Sequence, residues 1–543
     1  MKNIFKYILL LLAVVTGMGS LASCSDDDNT MSRLFRPIIS SDNIKTGLDA
    51  DTVPYATIKW DSYASADKYQ LVLIPANGGD SIVAECDSAY YRFNNLSYDT
   101  EYNLKVKAIS TTQGIESKYY VTSFTTSDFP TALKSLSSSD IIDIKARISW
   151  DSSDALFDSL KVYNTGKDSL VGTYAVKSNE LAAGNKIIGG LSPKTEYKVE
   201  AYHGKSYKGK KIFKTVASEN FSGTVVDLRN LDSEQAYKWL ATSLDSIITQ
   251  VYPDADITFV LNGGETYQLS NIILPATKGK LKFITGLSLA GNATFDVTGN
   301  FDVAADSQIG GISFEKIDFY GSQPSSTDNN YGSKYLFNLS ANGSEVQSLD
   351  ITNCNVKWKR GIVRIKGSAV IDTMNVDNCL MDSIAGYGLS NADNPKACIK
   401  VINVTNSTFS TVSLLCRGDK GLAPTSLVVE NCSFANCGTL FQFNAKAPFT
   451  GDYKITNCLI GEYTGTLIAW KGLSPIAANL YFTSDLVWAP TSVDDATPLA
   501  SLEGKVLSTS MVGTFKDWLN GDFTNISRDL GGDKPKPGDP RWY

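Results

Sequence analysis

The chain has 543 residues, room for about three to five domains, and its 43% hydrophobic, 10% aromatic and 20% charged residues are those of a globular protein, neither disordered nor collagenous. A formal net charge of −7 argues against a general nucleic-acid binder. The single histidine, His203, excludes histidine-ligated metal clusters and Ser-His-Asp or Cys-His nucleophile systems, unless the lone residue serves.

Residues 1–23 read as a signal peptide. Lys2 and Lys6 precede a short apolar run from Ile8 to Val15, too short to span a bilayer as a stable helix. Leu21-Ala22-Ser23-Cys24 resembles the bacterial lipobox, whose cysteine becomes the lipidated first residue; an ordinary secretory signal with a chance cysteine is the alternative. Ser25-Asp26-Asp27-Asp28-Asn29 resembles the acidic tether of surface lipoproteins from Bacteroidetes. That resemblance implies a lipidated tether over 24–44, anchorage to the outer membrane through acyl chains, exposure at the cell surface and no later transmembrane helix. Of the eight other cysteines, Cys86 stands alone and seven lie between Cys354 and Cys458. They read as core packing rather than a disulfide framework, with a local Cys432–Cys437 pair as the alternative.

Two copies of one strand pattern come next. Ile58-Lys59-Trp60, the alternating Tyr69 to Leu73 and Leu96-Ser97-Tyr98-Asp99-Thr100-Glu101-Tyr102 return as Ile148-Ser149-Trp150 and Leu191-Ser192-Pro193-Lys194-Thr195-Glu196-Tyr197. The spacing suits tandem β-sandwiches. The pattern resembles fibronectin type III domains over 45–128 and 133–217. This implies Trp60 and Trp150 as core tryptophans, Tyr102 and Tyr197 as corner tyrosines bonded back to the backbone, and Phe124-Thr125-Thr126 and Phe213-Lys214-Thr215 as the closing segments. The expected role is a spacer; binding through the loops is the alternative. His203 reads as a loop residue without a role.

From residue 222 onward the chain reads as one unit. Asp232 to Val251 carries Ala236, Trp239, Leu240, Leu244, Ile247 and Ile248 at helical spacing, predicting an amphipathic helix that caps the open end of a stack of strands. Ile257 to Leu274 reads as an opening rung. Asn353, Asn378, Asn406, Asn431 and Asn457 then recur every 25 to 28 residues. Apolar residues stand two and four before each and again three after, with a cysteine or Ser407 one after. Two period-2 strands out of phase across the asparagine require a turn there, and asparagine tolerates unusual backbone angles. Rungs stacked about 4.8 Å apart would bring the asparagine amides within bonding reach and stack Cys354, Cys379, Cys432 and Cys458 inside. The repeat resembles the right-handed parallel β-helix of pectate lyases over about 280–490. The fold class expected is therefore all-β: two sandwiches, then a parallel β-helix over 222–543 with a capping helix near 232–251. With the Gly538-Asp539-Pro540-Arg541-Trp542 tail, the layout resembles lipoproteins of Bacteroidetes glycan-utilisation loci, which implies glycan handling.

Relatives in this fold bind polysaccharide along one sheet. The candidate sheet lies eight to twelve residues after each asparagine: Gly361 to Lys366, Val412 to Arg417, Thr439 to Lys446 and Gly465 to Lys471. If Val363, Ile365, Phe441 and Phe443 point inward, Arg364, Lys366, Gln442 and Asn444 point outward, with Arg417, Lys446 and Lys471 nearby. Together with Trp358 and Lys359 these are the candidate glycan-binding residues; Trp470 could lie on either face. Guanidinium and ammonium groups pair with uronate or sulfate. The alternative for the dense run Lys357 to Lys366 is a solvated outer face, and for Trp358 a packed corner.

Three functions stay open. The first is a surface polysaccharide-binding lipoprotein for acidic glycans, without cofactor, whose partners are a polysaccharide and an outer-membrane glycan transporter. The second is a lyase cleaving uronic-acid glycans by β-elimination, with Arg364, Lys366 or Arg417 as base and calcium as an aid, although Asp382, Asp393, Asp419 and Glu430 form no compact cluster. The third is an adhesin solenoid. Arg364-Ile365-Lys366 looks like a polygalacturonase motif, but the Gly-His-Gly and paired aspartates of that family are missing. The polar insertion Gly321 to Tyr335 either walls a groove or decorates the surface.

Overall fold

The computed structural model describes residues 33–543 apart from 230, 232, 322, 324–327, 444–450, 463–465, 468–469, 472–476, 484–486, 489–502, 508–512 and 527–535. The expected signal peptide and Cys24 lie outside the described residues. No helix among the described residues is long and apolar enough to cross a membrane.

In the first sandwich, alternation at Lys68–Pro75 and Glu101–Ser110 gives two half-buried strands paired antiparallel, Leu71 opposite Val106. The flanking strands Ile82–Cys86, Ile115–Glu116 and Tyr120–Thr125 complete that sheet, and Ile44–Leu48, Pro54–Lys59 and Tyr90–Phe93 form the other. Trp60 is buried edge-on against Tyr69, with ring centroids 5.2 Å apart. The second copy has a four-stranded sheet of Ser169–Ala175, Ser159–Asn164, Glu196–His203 and Ser206–Lys214, and a pair, Asn185–Gly189 with Lys145–Ser149.

Both corner tyrosines do what their positions imply. Ser97 donates its backbone N–H to the Tyr102 hydroxyl at 3.1 Å, and Ser192 to Tyr197 at 2.8 Å. The closing threonines repeat too: Thr126 donates to the Ser97 carbonyl and Thr215 to the Ser192 carbonyl, each at 2.6 Å. His203 is largely exposed, 3.3 Å from Asp158.

The chain divides into two compact units, and the division runs through the second copy. One unit holds the chain up to Ser135 with Ser149–Asn185 and Lys198–Ile212; the other holds Leu136–Ile148, Lys186–Tyr197 and everything from Phe213. Inside the first unit, Tyr98, Phe129 and Tyr207 form an aromatic joint, with Tyr98 5.5 Å from each of the others. The Tyr207 hydroxyl donates to Asp128 at 2.8 Å.

The rest is a parallel β-helix of about seven turns over 257–461. Its first sheet stacks Ile257–Leu261, Thr277–Thr285, Gln308–Glu315, Glu345–Thr352, Val370–Asp377, Cys398–Thr405, Ser426–Glu430 and Asp452–Thr456, each paired parallel to the next. The second sheet runs through Thr266–Leu269, Ala293–Val297, Ile317–Tyr320, the leading halves of Asn355–Ile365 and Leu380–Ala392, then Thr408–Val412, Ser433–Ala435 and Leu459–Gly461. The third takes Ile272–Leu274, Phe301–Val303, Tyr335–Leu339, the trailing halves of the two long strands, Leu414–Gly418, Thr439–Phe443 and Trp470–Lys471. A further strand, Thr224–Asp227, pairs onto Ile257–Leu261, so the stack opens one strand earlier than the sequence suggests.

The inward columns are those of the repeat. Leu349, Met374, Ile402 and Leu427 stack four before the asparagine, and Ile351, Val376, Val404, Val429 and Ile455 two before it, all buried. Phe259, Phe283 and Phe314 stack in the earlier rungs at 4.9 and 5.2 Å. Cys354, Cys379, Cys432 and Cys458 are free, fully buried thiols, and Cys432 and Cys437 do not pair. All five asparagines have left-handed φ, between 48° and 56°. Asn431 donates to Asn406 at 3.1 Å and Asn457 to Asn431 at 2.6 Å, and Asn378 bonds Asn353. The run breaks once, where Asn406 turns to Asp377 instead, at 2.8 Å.

The capping segment is helical in successive pieces from Ser233 to Val251, including π-helical turns at Lys238–Thr242 and Ile247–Val251. Ala236, Leu240, Leu244, Ile247 and Ile248 enter the solenoid core, but Trp239 does not; it is 40% exposed. The tail docks along the second-sheet side of several rungs. Asp539, fully buried, accepts from Thr408 at 2.7 Å; Trp542 also donates to Thr408, and Arg541 to the Cys379 carbonyl.

Candidate functional site

The third sheet places one outward column rung after rung. Register aligns Asn338 with Arg364, Arg364 with Asn391, Asn391 with Arg417, Arg417 with Gln442 and Gln442 with Lys471. The predicted alternation holds: Val363, Ile365, Phe441 and Phe443 are buried, Arg364 and Gln442 are partly exposed, and Lys366 is exposed. Asn444 and Lys446 lie outside the described residues, and Trp470 and Lys471 are described only as a strand.

The basic residues do not stand alone. Arg364 donates to Asp393 Oδ2 through Nη2 at 2.6 Å and Nε at 3.0 Å, and Lys420 meets the other oxygen at 2.7 Å. Arg417 forks onto Asp419 at 2.8 and 3.1 Å. Burial opposes the charge on Arg364, yet the Asp393 bonds outweigh it and raise its pKa; the bond to Asp419 raises that of Arg417. The carboxyls answer in kind. Burial pushes Asp393 up, but Lys420 and Arg364 hold it below the usual carboxylate range.

Aromatic rings flank the column. Tyr335 and Tyr387 meet edge-on at 5.3 Å, with the Arg364 guanidinium 5.0 Å and the Arg360 guanidinium 4.6 Å from the Tyr387 ring. Arg360 and Lys366 have no carboxylate partner among the described residues. Three polar groups on this sheet are buried without a partner: Asn338 Oδ1, Arg360 Nε, and both amide atoms of Asn391, whose residue is 1% exposed. A buried unpaired amide is destabilising, so its retention calls for an explanation.

Two candidates lie elsewhere. Lys359 is fully buried, its Nζ donating to the Val297 carbonyl at 3.1 Å, and cannot reach a surface ligand. It points inward because it comes directly after the turn at Trp358, whose φ is 60°. Trp358 packs beside Tyr320 of the second sheet, at 6.1 Å, as the packed-corner reading expects.

The sequence did not point to Tyr387 or Asn338, and touched Tyr335 only as the end of the polar insertion and Asn391 only as part of a loop-like stretch. Asn391-Ala392-Asp393-Asn394 has loop composition, yet strand pairing with Gly361–Ile365 carries it to Ala392 as sheet. Residues 322 and 324–327 of the 321–335 insertion lie outside the described residues; its end, Tyr335, opens a third-sheet strand. Among the described residues no three His, Cys, Asp or Glu side chains converge as metal ligands would.

Known proteins resemble the two halves of the chain separately. A family described as a domain of unknown function, DUF4957, matches residues 266–412, within the β-helix. Among solved structures, the two-domain fibronectin type III segment of chicken tenascin is 21% identical, covering 33% of this chain and 100% of its own, with a TM-score of 0.17. The FN1–FN3 domains of chicken CNTN1 are 14% identical over 33% of this chain and 67% of theirs, with a TM-score of 0.15. No curated protein matches the chain.

Proposed function

We propose that this chain is a surface-anchored lipoprotein of the kind found in Bacteroidetes glycan-utilisation loci, held by a lipid on Cys24, and that the third sheet of its β-helix binds an acidic polysaccharide without cleaving it. The observation that carries this reading is the third-sheet column Asn338, Arg364, Arg417 and Gln442, polar and partly exposed, with the buried Asn391 in register between the two arginines. Regularly spaced donors and acceptors suit a polymer of regular repeat. Arg360 and Lys366 supply charge that no carboxylate among the described residues neutralises. The lyase reading is the weaker one. A base must give up its proton, and the carboxylates beside Arg364 and Arg417 hold theirs on.

The test is affinity electrophoresis of the lipid-free protein in pectic, alginate and glycosaminoglycan gels, alongside the ultraviolet absorbance of unsaturated uronide with and without calcium. Retardation with a flat absorbance trace is expected, weakened roughly tenfold in Arg360→Ala/Arg417→Ala. A rising trace would make the protein a lyase. No retardation in any of these gels would sink acidic-glycan binding.

A further inference from the structure

A second outward column, on a different sheet, points to a separate ligand. Register on the second sheet aligns Tyr320 with Lys357 and Lys357 with Asp382 over three successive rungs. Against these strands lies the antiparallel pair Phe515–Asp517 and Asp522–Asn525, joined by the turn Trp518–Asn520. That hairpin is fixed at its base. Glu462, 4% exposed, accepts the backbone N–H groups of Gly513, Thr514 and Phe515 at 2.6–2.9 Å. Phe515 and Phe523 pack onto Ala435 and Leu459, with Trp542 against them. Between sheet and hairpin is a cleft of about 450 Å³, within the range of small-ligand sites.

The lining decides the chemistry. Tyr320 and Trp518 offer flat apolar faces, and Lys357 and Asp382, paired at 2.7 Å, offer a donor and an acceptor side by side. Asn355 and Asn520 add amides. A pyranose has an apolar C–H face for an aromatic ring and neighbouring hydroxyls that an ammonium and a carboxylate can hold together. An apolar peptide would leave the ion pair without matching groups. We propose that this cleft binds one or two pyranose residues, such as a chain end or side branch, independently of the third sheet; the ligand class, though not the location, rests on the glycan-binding reading above.

A microarray of oligosaccharides ending in hexose, deoxyhexose, pentose, hexosamine and uronate pyranoses, probed with the full-length protein, tests this. Sugars held by the cleft are expected to lose roughly tenfold or more of their capture in both Trp518→Ala and Asp382→Asn. The aspartate variant leaves the hairpin untouched, so a folding defect in the tryptophan variant does not decide the matter. Capture that ignores both changes, or no capture of any printed sugar, overturns the cleft. Sugars whose capture depends on Arg360 and Arg417 alone uphold the third sheet and dismiss the cleft; sugars that depend on Trp518 and Asp382 alone do the reverse.

Discussion

At the first corner of five successive rungs the left-handed residue is Asn353, Asn378, Asn406, Asn431 or Asn457, and in the rung before them it is Lys316. Five residues later the chain turns again with the same backbone, φ 51° to 60°, and there the residues are Trp358, Ser383, Thr411, Asn436 and Glu462. Both corners demand a conformation that side chains other than Asn, Asp and Gly adopt at a disadvantage. Only the first keeps one residue type over those five rungs. The difference lies in what the side chain touches. At the first corner the neighbour is the same corner of the adjoining rung, except where Asn406 turns to Asp377, so one residue type serves the run. At the second, Trp358 meets Tyr320, Ser383 donates to Asp382, and Glu462 takes three amides of the hairpin. Repetition of the partner, rather than of the backbone, makes a repeat visible.

The column just past the second corner gives the largest test of this contrast. Ile384, Val412 and Cys437 fill it in later rungs, all buried, and Lys359 fills it in the first. Burial pushes the Lys359 ammonium down to about 8 from its ordinary 10.5. A lysine pKa lowered by folding means that the unfolded chain binds the proton more tightly. The destabilisation is therefore full below about pH 8 and is relieved as pH climbs toward the ordinary value. Lys359→Met is expected to stabilise the β-helix by about 3 kcal/mol at neutral pH, a gap that closes in alkali, read by urea unfolding across that range. An unchanged or lower stability would show that the lysine is integral to this corner.

Asn431 is bonded to Asn406 on one side and Asn457 on the other. Its replacement by alanine is expected to destabilise by about 2 kcal/mol, from the left-handed backbone and two lost amide bonds. Asn431→Gly restores the backbone only, and should recover about half of the loss. Full recovery would mean that the amide run contributes nothing and the first corner is no different from the second. The smallest effect belongs to Thr411, exposed and β-branched at φ 52°. Thr411→Asn is expected to stabilise by up to about 1 kcal/mol in the same measurement.

Legibility obeyed the same rule elsewhere. The corner tyrosines and closing threonines of the two sandwiches were readable because each copy repeats both members of the bond. The first-sheet columns were readable because stacking repeats every contact. The candidate site was half readable. Alternation told which way Arg364 and Gln442 point, but not that Asp393 and Asp419 neutralise the arginines, since those carboxylates sit on neighbouring segments whose spacing varies. Asn391 was hidden in a polar stretch that strand pairing, not composition, made into sheet. Lys359 was misplaced because the turn before it carries no turn-forming residue.

The inner column of thiols bears on how the chain comes apart. Cys354, Cys379, Cys432 and Cys458 are sealed from reagents and joined to nothing, and burial pushes the thiols of Cys416 and Cys437 up to about 12. Folded, they are inert to oxidants and alkylating agents. Unfolded, they regain ordinary reactivity, and in an oxidising medium a cross-link between cysteines that are not stacked neighbours blocks restacking, because the native columns hold them rungs apart. Loss of structure would then act as a ratchet: reversible while a reductant is present, irreversible without it, so that the lifetime of this β-helix in such a medium is set by how rarely it opens rather than by how favourably it closes.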